Sequence, residues 1–246
     1  MRAAAVAVLV SCLASAVLVA ATPLTAPVLA TTQPQPRQAL PAAPLRRTVA
    51  ASGFPPADAP APETIAAAER TAVAAVDGFW QRHFTELFHR PYRSPRVAGG
   101  YQGRAGPTCA GRRPASFNAF YCGAQDFLAW DESLMIAGYQ RIGDSWVYLI
   151  IAHEWGHAIQ ARVSRYLVSV AIELQADCLA GATLAGAQRD GLIQLRPGVD
   201  RELGAALTAL ADSYPWTNKR DHGNAQQRIG AYNLGVGQGV PACLAH

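Results

Sequence analysis

Apolar residues recur at three- and four-residue intervals through residues 64–89, where Phe79, Trp80, Phe84, Leu87 and Phe88 follow an Ala- and Glu-rich start. That spacing predicts a helix, closed by Pro91. Residues 90–114 are rich in Gly and Pro and read as a loop. The aromatic-rich run "SFNAFYCGAQDFLAWDESL" predicts two short strands around a turn at Gly123, hence a small sheet. Residues 144–162 are apolar almost all round, with Asp144 or Ser145 to cap the start, and predict a deeply buried helix. Further helical patterns cover residues 164–187, 200–211 and 224–234, the last stopping at Gly235. No internal period of repeat length recurs. The elements add up to a mainly helical α+β chain with a small sheet.

The N-terminal quarter has a different character. Arg2 precedes an apolar run over residues 3–21, and Val28 and Ala30 suit the small-residue positions of a cleavage site. Residues 1–30 are expected to be a signal peptide or a membrane anchor, so the chain is exported and either secreted or anchored facing outside. Residues 31–63 are dense in Pro and Ala and lack the apolar content to offset their ordering entropy, so they read as a tether. The folded domain is expected over residues 64–246. Of the 246 residues, 21 are basic and 17 acidic, and only four and two of these precede Thr64. The domain is thus close to neutral, with no nucleic-acid footprint.

Beyond Cys12, four cysteines remain, an even number in a chain bound for an oxidising compartment. The favoured pairs are Cys109 with Cys122, closing a short loop, and Cys178 with Cys243, tying the C-terminal tail to the core. His83 and His89 read as packed or solvated side chains.

The stretch "LIIAHEWGHAIQ" places His153, Glu154 and His157 inside the most apolar helix. Each buried polar group left unpaired would cost about 1 to 3 kcal/mol, so something must satisfy them. In the pattern His-Glu-x-x-His, the two imidazoles lie four residues apart on one helix face and can meet a single ion. Glu154 is rotated about 100° from His153, beside that ion, where it can take a proton from the attacking water. The expected cofactor is one Zn2+ per chain.

Catalytic zinc usually takes three protein ligands, and the next helical run offers Glu173 amid Val168, Val170, Ile172, Leu174 and Leu179. On one straight helix Glu173 would lie roughly 24 Å from His157, so the chain must reverse. A reversal over residues 163–165, with Ser164 capping a new helix, brings the two residues level. Asp177 shares the face of Glu173 and suits the free ring N–H of a ligating histidine. Cys178 is rotated about 140° from Glu173, which argues for a disulfide or core role over ligation. Gly156 interrupts the helix and reads equally as a close approach or as simple tolerance.

In order, "FYCGAQDFLAWD", "HEWGHAIQ", "ELQADCLAG" and "HGNAQQRIGAYNLG" resemble the bacterial neutral zinc metallopeptidases, a gluzincin-like family with a His-Glu-x-x-His motif and a later Glu-x-x-x-Asp. The resemblance covers most of residues 71–235. It implies a zincin-like fold, with the active helix beside a small sheet, and hydrolysis of peptide bonds. The family commonly has Pro and then Asp after the first-motif cysteine, where this chain reads Gly123, Ala124, Gln125 and Asp126. His222, before the last helix, reads as a helix-start residue bonded to backbone or, by analogy with other zinc peptidases, as a donor to a developing oxyanion. Tyr214, Asn224 and Tyr232 are weaker candidates for the same role.

The expected function is therefore that of a zinc metallopeptidase, a hydrolase acting on a peptide or protein. Zinc is held by His153, His157 and Glu173, Glu154 serves as general base, and an extended substrate pairs with a sheet edge at residues 127–131. Two rivals keep the same residues: a zinc-stabilised binding or scaffold protein of the cell envelope, and a zinc amidohydrolase of cell-wall peptides.

Overall fold

A computed structural model describes residues 64–163, 169–212 and 222–244. The expectations for residues 1–63, for the reversal at 163–165 beyond Val163, and for Tyr214 lie outside the described residues.

Helix α1 (Ile65–Phe88) starts at Thr64, whose side chain accepts the Ala67 N–H at 3.2 Å, and ends at His89 in the left-handed conformation. Its buried face runs Ala68, Ala72, Ala75, Val76, Phe79, Trp80 and Phe84, the three-and-four spacing of the sequence. Strand β1 (Arg96–Tyr101) follows, then β2 (Ala119–Cys122) and β3 (Phe127–Asp131). Helices α2 (Glu132–Ile142), α3 (Asp144–Val163), α4 (Ser169–Arg189), α5 (Val199–Ala209), α6 (Ala225–Gln238) and the single turn α7 (Val240–Cys243) complete the order. The result is a mainly helical α+β domain of zincin-like type with a three-stranded sheet.

The sheet corrects two expectations. Residues 96–101, read as loop, form β1, which pairs in parallel with β3 across a register shift between Val97 and Gly99. A short edge strand with two central glycines carries almost none of the alternation that marks a strand. The order β1-β3-β2 also makes β3 the central strand, with all five residues buried. Residues 127–131 therefore offer no free edge; the backbone of Phe127–Asp131 is paired on both sides, to β1 and antiparallel to β2. The edge strand beside α3 is β2.

Helix α2 was not anticipated. Asp131 caps it, accepting from the Ser133 backbone N–H at 2.9 Å, so the last residue of β3 doubles as a helix start. Helix α6 continues past Gly235 to Gln238. Gly235 is no helix stop. A Cβ there would stand 1.9 Å from the Cys178 carbonyl oxygen, so its missing side chain lets α6 lie against α4.

Helix α3 is the centre of the core. Every residue from Ser145 to Gly156 is buried, as are Ala158 and Ile159, because α1, α2, α4, α5 and the sheet surround it. This accounts for an apolar run with no polar face. The disulfides pair Cys109 with Cys122 and Cys178 with Cys243, as favoured from the sequence. Among the described residues, no helix is long and apolar enough to cross a membrane.

Candidate metal centre

The site forms where α3 crosses α4. At the crossing a Cβ on Gly156 would lie 2.9 Å from the Ala176 carbonyl oxygen and 3.1 Å from its Cα, so Gly156 marks a close approach and not mere tolerance. Three residues before and one residue after the contact, α3 presents His153 and His157 and α4 presents Glu173 and Asp177.

His153 Nε2 lies 3.3 Å from Glu173 Oε2, and His157 Nε2 lies 3.6 Å from Glu173 Oε1. The two imidazoles stand edge to face, centroids 4.8 Å apart at 89°. One donor atom from each of His153, His157 and Glu173 falls within 4.8 Å of the others. Zinc bonds of about 2.0 to 2.1 Å in a tetrahedron put ligand atoms about 3.4 Å apart, so this donor set fits zinc in type and nearly in spacing. Both Nδ1 atoms are engaged elsewhere, which turns both Nε2 atoms toward the common point. His153 Nδ1 bonds Asp177 Oδ1 at 2.8 Å, and His157 Nδ1 bonds Gln160 Oε1 at 2.9 Å.

The electrostatics ask for a cation. Burial opposes charge on His153, but the Asp177 carboxylate and the Glu173 hydrogen bond outweigh it and push its pKa up to about 10. Glu173 is held far below the usual carboxylate range: burial would raise it, and hydrogen bonds from His153 and His222 override that. In this arrangement a proton on His153 occupies the place a metal would take.

Asp177 has no exposed surface and is balanced by Arg228, itself buried. Arg228 Nε donates to Asp177 Oδ2 and a terminal N–H to Oδ1, both at 2.8 Å, while its other terminal nitrogen donates to the Leu210 carbonyl at 2.7 Å. This fork-to-carboxylate pair keeps Asp177 ionised below its ordinary pKa against the cost of burial. Sequence reasoning missed Arg228. A signal was present, since Arg228, Tyr232 and Gly235 share the inward face of α6.

Glu154 lines a cleft with Ala119, Phe120 and Tyr121 of β2, both histidines, Gln160, Ile172, Glu173 and His222. Beside it a pocket of about 140 Å3 is walled by Phe117, Leu134, Leu149, Ile150 and Leu210. His222 is brought to the rim: its Nδ1 lies 2.8 Å from Glu173 Oε2, and its backbone N–H donates to Asp212 Oδ2 at 2.5 Å. Of the weaker candidates, Asn224 is engaged in the capping box of α6 with Gln227, and Tyr232 is buried in the core. His83 bonds Asp190 at 2.7 Å, away from the cleft.

Residues 46–245 match a family model described as "Putative neutral zinc metallopeptidase". The chain is 28% identical over 207 residues to the "Uncharacterized protein YpfJ" of Escherichia coli strain K12, covering 72% of this chain and 70% of that protein. The same values hold for YpfJ of Escherichia coli O6:H1. No solved structure matches the chain significantly.

Proposed function

The chain belongs to the neutral zinc metallopeptidase family, and from that premise we propose that it hydrolyses peptide bonds with one zinc held by His153, His157 and Glu173 and with Glu154 as general base. The observation that carries the reading is the convergence of those three donor groups on one point, with Glu154 opening on the same cleft.

Zinc, when bound, supplies a Lewis acid that polarises the scissile carbonyl and makes water acidic near neutral pH. Glu154 takes the proton of the attacking water and returns it to the leaving amine. Asp177 holds the Nδ1 proton of His153 and so keeps its Nε2 lone pair free, and Arg228 holds Asp177 ionised. His222, at the cleft rim, donates to the oxyanion that develops on the carbonyl. An extended substrate pairs with the edge of β2, and the adjoining apolar pocket takes an apolar side chain next to the scissile bond.

We read the chain as exported. Two disulfides suit an oxidising compartment. In our reading residues 1–30 direct export as a signal or anchor, 31–63 are a tether, and 64–246 are the catalytic domain.

The test is metal content and product analysis together. The purified chain should carry about one zinc, lose it in Glu173→Ala, and cut members of a peptide library with an apolar residue beside the cut. Full zinc retention by Glu173→Ala would move the third ligand elsewhere, and cleavage of cell-wall fragments in place of peptides would change the substrate.

A further inference from the structure

We propose that Gln160 and Gln175 are positioning residues that fix the ring tautomer of His157, through an amide relay whose far end is the carbonyl of Cys243. The proposal rests on the zinc reading above and extends it to two residues that are not themselves ligands.

The two ends of a glutamine amide differ: one donates, the other accepts. Gln160 Nε2 lies 2.7 Å from the Ile172 carbonyl oxygen, which can only accept, so that end of the amide is the NH2. Its oxygen is thereby turned to His157 Nδ1 at 2.9 Å, and Nδ1 must carry the proton. His157 Nε2 is left with its lone pair on the side of Glu173. The tautomer of this ring is set by a backbone carbonyl two bonds of the relay away.

A second amide repeats the logic. The other N–H of Gln160 points to Gln175 Oε1 at 3.1 Å, and Gln175 Nε2 donates to the Cys243 carbonyl at 2.9 Å. Flipping either amide would set oxygen against oxygen. Both fixed ends belong to the site's own frame. Ile172 immediately precedes Glu173, and Cys243 is joined by its disulfide to Cys178, which immediately follows Asp177. The C-terminal turn α7 is therefore wired to His157 through the relay and to the His153 partner through the sulfurs.

The two histidines are thus oriented differently. His153 faces a carboxylate that needs Arg228 to balance it; His157 faces a neutral amide, which orients the ring without adding a further buried charge.

The experiment uses the full chain, stripped of metal and titrated with Zn2+ against a chromogenic chelator, with folding followed by circular dichroism. Gln160→Met should bind zinc about 10- to 100-fold more weakly than the parent, and Gln175→Met should be weakened in the same direction. Gln160→Glu keeps an acceptor for the Nδ1 proton but sets an oxygen against the Ile172 carbonyl, so it should lose at least as much thermal stability as Gln160→Met while keeping clearly more of the zinc affinity. A merely structural glutamine would be harmed by both changes alike. In the zinc-loaded parent, long-range 1H–15N spectra should show His157 protonated at Nδ1, a readout that needs no variant to fold. Parent affinity in Gln160→Met, or a proton on Nε2 of His157, would overturn the relay while leaving the zinc site standing. A parent that binds no zinc would overturn both.

Discussion

Gly156 of α3 and Ala176 of α4 meet so closely that the space for a single methyl group is missing, and this contact sets the spacing of the helices that carry His153, His157 and Glu173. Gly156→Ala gains about 1 kcal/mol of helix propensity, but must push α4 outward against backbone, an overpacking cost of about 1 to 3 kcal/mol. The expected outcome is a lower thermal midpoint together with weaker zinc binding, because Glu173 moves with α4. Gly230→Ala is the matched control: nothing lies within 4 Å of a Cβ there, and it should gain stability with zinc affinity unchanged.

Arg228 and Asp177 form a buried pair, so losing one partner leaves an uncompensated charge. Arg228→Met should cost about 3 to 5 kcal/mol in denaturant unfolding and weaken metal binding. Arg228→Lys cannot reproduce the two-pronged contact and should recover only part of the loss.

Asp131 supplies a dependence on pH. Burial would raise its carboxyl pKa, but the Phe117 N–H at 2.6 Å, the Ser133 hydroxyl at 2.7 Å and the Ser133 N–H at 2.9 Å prevail and lower it. A group with a depressed folded pKa stabilises above its unfolded value, about 3.9, and that contribution is lost as pH falls through the lower folded value. Asp131→Asn should therefore be less stable than the parent at pH 7 by about 1 to 3 kcal/mol from the weakened hydrogen bonds. Urea midpoints measured downward from pH 5 should show the gap closing in strong acid.

The Cys178–Cys243 disulfide closes a long loop, with the two residues 65 apart in sequence. The chain-entropy argument gives about 4 kcal/mol for a loop of this size, so replacing both cysteines by serine should lower stability by about 2 to 4 kcal/mol. Since Cys243 also anchors Gln175, zinc affinity should fall as well.

Much of the fold and of the candidate site is legible in the sequence. His153, Glu154 and His157 stood out because polar residues at ligand spacing sat in a run with no polar face, and the burial of α3 explains that run. Glu173 stood out as a carboxylate in an apolar run that a chain reversal would bring level with His157, and the cysteine pairs as a short closed loop and a tie from the tail to the core. Strand β1 escaped because its pairing with β3 is long-range and glycine-broken, leaving no local alternation to read. Helix α2 escaped because its start borrows the last residue of a strand. Arg228 and Gln160 act through contacts between distant segments, and chain periodicity carries no record of a partner 51 residues away, such as Asp177 is to Arg228.

The central claim is tested most directly by comparing peptide hydrolysis in Glu154→Gln and in the parent at matched zinc content. The side chains are nearly the same size, and Glu154 is not among the three groups assigned to the metal, so loading should be equal. The predicted result is unchanged zinc with a rate lower by about 10²- to 10⁴-fold, the usual contribution of a general base. Equal rates at equal zinc would contradict the account.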